Sequence, residues 1–370
     1  VQAAKAEPDT VKPEHQPQDS PTEDVADEKD GVLIDGRLYV MTAGSFASVQ
    51  RDDLVVRRRQ EELRRIPLDT LTMLVLQGPG VGISVGLTIK LSERDVPVVF
   101  APPFGRPAAI AASLQGGHSR LRQQQILRKN DPEILNIGIA MLAAKTGNQA
   151  SVLKYFARYR KKQTLRTVHD ELAKAAADIR SLADTLKELD SSSSGLRSTA
   201  MGYEGRAAAL YWSSLAQLIP EELSFPGRRT RQATDPFNQA VNYVYGVLYG
   251  EVWRAIVHAG LDPYTGIMHG TERDQGSLIF DLIEEFRAPF GDRLVLGMLG
   301  RGFQPQLGKH GDLRTSVRRL LVGAFHRMWN RPIRWRGKMV APARILEQQA
   351  KGLGRAFLAE ETYHPFQFRW

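Results

Sequence analysis

The sequence predicts an α+β protein in which a small β-rich part precedes a larger helical one. Three observations lead there. Short apolar runs bounded by Gly, Pro or Asp fill residues 32–112. From about Leu114 onward, apolar residues recur every three or four positions over long stretches. No internal repeat is visible.

In the first part, Val32-Leu-Ile and Arg37-Leu-Tyr-Val-Met flank Asp35-Gly36, a two-residue hairpin signal. Asp53-Leu-Val-Val-Arg, Leu71-Thr-Met-Leu-Val-Leu and Pro97-Val-Val-Phe read as further strands, with a helix over Ser84 to Glu93. Gly78-Pro-Gly-Val-Gly82 has the glycine density of a phosphate loop. It lacks the Gly-Lys-Ser/Thr ending and the spacing of either phosphate fingerprint, and is read as a turn. Helices are expected over Leu121–Arg128, Pro132–Thr146, Ser151–Arg160 and Leu165–Leu189. After a break at Ser191–Gly195 they resume over Gly205–Leu218, Phe237–Ala259, Ser277–Phe286 and Asp312–Trp329. The expected division is a β-rich 31–113, a helical 114–345 and a C-terminal tail 346–370.

Composition narrows the chemistry. The 370 residues contain no cysteine, which excludes disulfides, zinc ribbons, iron–sulfur clusters and a thiol nucleophile. A bound metal must then be held by carboxylates, imidazoles or other oxygen donors. No uninterrupted apolar run reaches the ~18–20 residues of a membrane span, and the start lacks a secretory signal. A cytoplasmic protein is expected. The net charge of +9 hides an asymmetry. Residues 1–30 hold nine acids against three lysines, a net of −6, which leaves +15 on the rest. With four prolines and no aromatic residue, 1–30 is expected to be a disordered acidic tail. The chain begins with Val, so this segment is either the linker from an upstream domain or a processed terminus.

Three clusters attract attention as metal sites. Glu204 lies in Met201-Gly-Tyr-Glu-Gly-Arg206, at an expected helix start, where an acid can simply complement the helix dipole. His269 ends the loop Leu261-Asp-Pro-Tyr-Thr-Gly-Ile-Met-His, where a lone histidine can be structural. Asp281, Glu284 and Glu285 share the run Phe280-Asp-Leu-Ile-Glu-Glu-Phe-Arg287 at helical spacings of three and four. Such acids can be a solvated boundary, or close carboxylates whose repulsion a cation relieves.

The order Glu204, then Gly266-Ile-Met-His269, then Asp281-Leu-Ile-Glu284-Glu-Phe-Arg287 is more specific than any single cluster. With Ala209-Leu-Tyr-Trp212, Asp235-Pro-Phe-Asn238, Tyr245-Gly-Val-Leu248 and Gly260-Leu-Asp-Pro263, it resembles the integrase of the CRISPR adaptation machinery, the Cas-one family. Leu74-Val-Leu-Gln-Gly and Val96-Pro-Val-Val-Phe are similar to that family's sheet pattern. The resemblance covers about residues 31–345. It departs from the pattern at Thr271-Glu-Arg-Asp-Gln275, at 1–30 and at Ser191–Ser194.

The resemblance implies a β-sandwich-like, dimerising N-terminal domain and an all-helical catalytic domain. It implies Glu204, His269 and Glu284 as ligands of Mg²⁺ or Mn²⁺, with Asp281 a supporting catalytic acid. The implied reaction inserts short double-stranded DNA spacers into a CRISPR repeat array by attack of DNA 3′-hydroxyls on phosphodiesters. The implied partners are DNA, a second copy of the chain and a Cas-two protein. An upstream reverse transcriptase or Cas-four-type nuclease is compatible with the acidic segment. A structure-selective, metal-dependent endonuclease and a catalytically lapsed DNA-binding scaffold remain open. DNA contacts are expected from two basic runs and the arginine-rich C-terminal third. The runs supply Arg158, Arg160, Lys161, Lys162, Arg228, Arg229 and Arg231; the C-terminal third supplies Arg287, Arg318 and Arg319. For any one run, a solvated helix face is the plainer reading.

Overall fold

The computed structural model describes residues 31–103, 106–113, 118–160, 166–269 and 276–368. The acidic segment 1–30, Lys161, Lys162 and residues 271–275 lie outside these.

Nine strands come first: β1 (Gly31–Ile34), β2 (Arg37–Val40), β3 (Ser45–Gln50), β4 (Asp53–Arg58), β5 (Glu61–Pro67), β6 (Met73–Gln77), β7 (Gly82–Ile83), β8 (Val98–Ala101) and β9 (Ala109–Ala111). Helix α1 (Val85–Glu93) precedes β8, with the Ser84 side chain accepting from the Leu87 amide as its N-cap. The strands form a five-stranded sheet, β1-β2-β6-β8-β9, and a four-stranded sheet, β5-β4-β3-β7. Asp35 and Gly36 both have positive φ, 49° and 75°, as a two-residue hairpin turn requires. Gly78 and Gly80, with φ of 100° and 80°, make the turn between β6 and β7.

Side chains alternate across a strand, so the central strands can bury both faces. Leu38 and Val40 of β2 and Leu74 and Leu76 of β6 join Ala47, Leu54 and Val56 of the other sheet in one cluster. Tyr39, Met41, Met73 and Val75 point the other way, into the core of the helices.

That core is built by α2 (Ser119–Arg128), α3 (Pro132–Arg160), α4 (Arg166–Lys187), α5 (Leu196–Ala216), α6 (Pro236–His258), α7 (Ser277–Phe286), α8 (Arg293–Leu299), α9 (Thr315–Asn330) and α10 (Pro342–Phe357). A π-helical stretch, Arg287–Asp292, joins α7 to α8. Among the described residues, no helix is long and apolar enough to cross a membrane.

Four expectations need correction. The helical part is not all-helical: strands β10 (Ile333–Trp335) and β11 (Lys338–Val340) form an antiparallel hairpin. No separate tail begins at 346, because α10 runs through that position and buries Leu346, Ala350 and Leu353. The two helices expected over 132–160 are one. Gly147 allows the Arg180 guanidinium of α4 to lie against the backbone and donate to its carbonyl at 3.2 Å. Finally, α5 starts at Leu196, about two turns before the expected Gly205. Burial of Ala200, Ala207 and Tyr211 outweighs the helix-weakening Gly202 and Gly205.

A buried ion pair joins the sheets to the helices. Arg37 of β2 donates from Nε and Nη2 to the two carboxylate oxygens of Glu251 in α6, at 2.5 and 2.9 Å. Beside it the Tyr39 hydroxyl meets His326 Nε2 of α9 at 2.8 Å. Burial raises the pKa of Glu251, but Arg37 and Arg254 outweigh it and hold the carboxyl at about 2. The folded protein therefore keeps this charge where the unfolded chain, near 4.5, takes a proton. Its contribution to stability is full above pH 4.5 and is lost as pH falls toward 2. Replacing Glu251 by Ala strands a buried guanidinium and is expected to cost about 3–5 kcal/mol in denaturant unfolding. Glu251→Gln is expected to flatten the acid limb of the stability profile.

Candidate active site

The helix α7 carries three buried acids, and the structure sends each to a different partner. Asp281 points back to the loop that leaves α6. It accepts from the amides of Ile267 at 2.5 Å, Met268 at 3.3 Å and His269 at 3.1 Å, and from His269 Nδ1 at 2.7 Å. Gly266 makes this approach possible, since a Cβ there would lie 2.9 Å from the Asp281 carboxylate and 2.6 Å from Ser277. Glu284 turns toward Lys145 of α3 and Arg287, its neighbour one turn on. Glu285 faces the opposite way and accepts from the Tyr363 hydroxyl at 2.6 Å, the Phe366 amide at 2.7 Å and the Gln349 amide at 3.0 Å. The three acids thus do not form the mutual cluster that their spacing allows. Asp281 is a positioning residue for the His269 loop, and Glu285 anchors the C-terminal segment.

Glu204 lies in the middle of α5. Its Oε1 meets the Lys145 ammonium at 2.5 Å, while Glu284 Oε2 meets the same nitrogen at 2.8 Å. Two carboxylates from two helices therefore converge on one half-buried cation. Burial raises the pKa of Glu284, but Arg287 and Lys145 outweigh it and hold the carboxyl at about 2. Burial lowers the pKa of Lys145, and Glu284 and Glu204 reverse that into a net rise. Glu284 Oε2 is sealed from solvent and faces the ammonium.

His269 stands beside this pair without joining it. Burial lowers its pKa, but the hydrogen bond and charge of Asp281 carry the net shift upward. Among the described residues, no three His, Asp or Glu side chains are grouped tightly enough to hold a metal ion. Of the three expected ligands, the structure unites Glu204 and Glu284 and leaves His269 tied to Asp281. The pairing of a histidine's Nδ1 with a carboxylate is nonetheless the arrangement that orients a metal-ligating imidazole.

Two further features escape motif reading. Lys145 belongs to no motif, and its one sequence signal is a lone charge directly after the apolar run Ile139–Ala144. The other is a ladder of alternating cations and rings. Arg106 lies over Tyr249 and Phe280, Arg287 over Phe280 and Tyr245, and Arg228 over Tyr245 and Trp212, at 4.9–6.0 Å. The rings hold guanidinium groups in place beside Glu284. Tyr245 is itself fixed, since it and Tyr211 both donate to the buried Asp292, at 2.6 and 2.9 Å.

The expected DNA-binding residues separate by burial. Arg158, Arg229 and Arg231 are exposed, whereas Arg228 and Arg287 are half-buried in the ladder. Arg318 is 6% exposed and Arg319 is half-buried beside it. Arg160 ends α3; Lys161 and Lys162 lie outside the described residues.

Two sheets ahead of a helical body, with paired carboxylates on one cation and a carboxylate-held histidine beside them, define an α+β protein with an acid–imidazole centre. The profile of the family CRISPR associated protein Cas1 matches residues 38–327, and the chain belongs to that family. A CRISPR-associated endonuclease Cas1 from Francisella tularensis subsp. novicida is 28% identical over 340 residues, covering 90% of this chain and 99% of that protein. Two solved structures share the fold. A casposase bound to integration product superposes with a TM-score of 0.74 at 19% identity, covering 88% of this chain and 91% of that one. A Cas6-RT-Cas1–Cas2 complex does so at 0.71 and 21%, covering 93% of this chain and 37% of that longer one.

The geometry makes a measurable claim about His269. In the metal-free protein, its imidazole is expected to titrate above 6.5 in an NMR pH series. Asp281→Asn removes the charge and is expected to bring that pKa down. The same substitution is expected to speed amide exchange at 267–269, because one of the two oxygens that accept from these three N–H groups becomes a donor.

Proposed function

We propose that the chain is a metal-dependent DNA integrase that inserts short spacers into a CRISPR repeat array. The observation that carries this reading is the convergence of Glu204 and Glu284 on one half-buried cation, with His269 held by Asp281 beside them, in a chain of this family. The donor set, two carboxylates and an imidazole without thiols, fits a hard divalent cation. Glu204, Glu284 and His269 are the residues to hold Mg²⁺ or Mn²⁺. Bound there, such an ion stabilises charge on the attacked phosphate and on the displaced oxygen.

The reaction exchanges one phosphodiester for another. The 3′-hydroxyl oxygen of the spacer forms a bond to phosphorus as the bond to the repeat's 3′-oxygen breaks, so no nucleotide cofactor and no protein nucleophile are needed. The chain's residues supply the setting. Asp281 holds the His269 loop and leaves Nε2 of the ring facing away from its own hydrogen bond. Arg287 and Arg228, stacked on Tyr245, present fixed positive charge to phosphates. Exposed Arg158, Arg229 and Arg231 add sequence-independent grip on the duplex.

With water in place of the 3′-hydroxyl, the same centre cleaves DNA, in keeping with the endonuclease name of the relatives. The likeness to the Cas6-RT-Cas1–Cas2 complex supports two partners within this proposal: a Cas2 protein, and a reverse transcriptase ahead of this segment in a longer polypeptide. Self-association through the β-rich part belongs to the same reading.

The test is a strand-joining assay with the protein, its Cas2 partner, Mn²⁺ or Mg²⁺, a short duplex with free 3′-hydroxyls and a plasmid bearing the repeat array. Joined products are expected, and they are expected to fall by roughly 10²-fold or more in Glu204→Gln, Glu284→Gln and His269→Ala while duplex binding persists. Cleavage without joining would replace the integrase by a nuclease, and binding without either would leave a scaffold. Mn²⁺ titration followed by electron paramagnetic resonance reads the ligands directly. Binding is expected to be lost in Glu204→Gln and Glu284→Gln, and kept in Lys145→Met, which removes the competing ammonium.

A further inference from the structure

Away from the paired carboxylates, a cavity of about 570 Å³ opens where the β-rich part meets α9. One wall is the β2–β3 turn at Thr42 and Ala43. It is held against the Gly78–Gly80 turn by the Gly44 amide, which donates to the Gly80 carbonyl at 2.8 Å. The other wall is the first turns of α9, with Thr315, Arg318 and Arg319.

The two arginines are tied down at one end and unpartnered at the other. Arg318 Nη2 donates to Thr315 Oγ1 at 2.9 Å, and Arg319 Nη2 donates to Thr42 Oγ1 at 2.9 Å. Arg318 Nε and Nη1 and Arg319 Nε are sealed from solvent and have no acceptor. Among the described residues, neither guanidinium makes an ion pair, although Glu61 and Asp312 also line the cavity. Arg318 is 6% exposed, so a full positive charge sits buried with two unsatisfied donors. Such an arrangement is costly unless an anion meets it. Fixed guanidinium donors suit a phosphate above other anions. The remaining wall is apolar, with Met41, Leu63 and Pro103. The volume lies in the range of small-ligand sites, larger than an inorganic anion needs.

We propose that this cavity is a nucleotide-phosphate site, in which Arg318 and Arg319 hold the phosphate and the Met41–Leu63–Pro103 wall receives the base or sugar. The phosphate belongs either to a free mononucleotide or to a nucleotide of a DNA strand; the chemistry of recognition is common to both. The site makes no use of Glu204, His269 or Glu284, so it stands or falls independently of the strand-joining centre. It also gives a role to the glycine-rich 78–82 segment: it walls the cavity, while the donors come from α9.

The test uses the full chain, with sodium phosphate, deoxycytidine 5′-monophosphate and a short 5′-phosphorylated duplex as probes, at ionic strength matched with sodium chloride. A saturable rise in Tm with phosphate is expected, with calorimetric binding of the mononucleotide or of the duplex. Arg319→Gln and Arg318→Gln are expected to weaken that binding by roughly tenfold or more, the loss of one charged hydrogen bond or two. Arg318 is buried, so circular dichroism checks that its variant folds; the half-exposed Arg319 carries the test alone if it does not. Mononucleotide binding assigns a free ligand, and duplex binding that phosphate displaces assigns the DNA strand. Glu204→Gln is expected to retain the phosphate-induced rise while losing strand joining, which separates the two sites. The proposal is overturned if phosphate does no more than matched chloride, or if Arg319→Gln binds all three probes as the parent does.

Discussion

A helix of ten residues that buries three carboxylates has to find a partner for each of them, and α7 is built around that constraint. Its acids cannot share one solution, because close carboxylates in a dry setting repel and one of them would take up a proton. They diverge instead. Asp281 takes backbone amides and an imidazole, Glu284 takes an ammonium and a guanidinium, and Glu285 takes a phenol, a main-chain amide and a side-chain amide. Each choice fixes a different piece of chain: the loop after α6, the pairing of α3 with α5, and the segment after α10. The centre is therefore held by the helix that also ties down its surroundings.

Lys145 has an ambiguous place in such a centre. Its ammonium lies against both Glu204 and Glu284, and together with Arg287 it keeps the Glu284 carboxyl ionised. It also occupies the point on which they converge, so a divalent ion held there, as proposed, would have to displace it or share its ligands. That exchange would be a competition between charges of one and two for the same oxygens. A second positive charge, Arg287, pairs with Glu284 and is held by Tyr245 and Phe280. The histidine is oriented from behind by Asp281.

Where a local pattern decides, the sequence is legible. The Asp35-Gly36 hairpin, the short helix after Ile83 and the bounds of α7 all follow from local residues. Failures arise where distant packing overrides local preference. Gly147 reads as a helix break until Arg180 is seen to need the space, and Gly202 and Gly205 read as a helix start until α5 is seen to bury Ala200 and Tyr211. The order of Glu204, His269 and Glu284 is visible in the sequence, but not that Asp281 claims His269 or that Lys145 stands between the two glutamates. Both follow from side chains more than ten positions apart, which no spacing rule reaches.

The division into a β-rich part and a helical part also changes its meaning. The five-stranded sheet is buried on both faces, one against the second sheet and one against the helices, so there is one continuous body rather than two beads on a string. Arg37–Glu251 and Tyr39–His326 lock the shared face, and both partners of the sheet, α6 and α9, continue into functional ground. Helix α6 carries Tyr245 to the ladder beside Glu284; α9 carries Arg318 and Arg319 to the cavity at the seam. A shift of the sheet against these helices would move the two places together. The +15 that accompanies residues 31–370 is thus not one undivided basic surface. Part of it is exposed, part is stacked on rings at the carboxylate centre, and part is buried at the seam with donors still unmet. Burial is what distinguishes these three uses of arginine, because a donor already stripped of water has no further desolvation to undergo when a phosphate arrives.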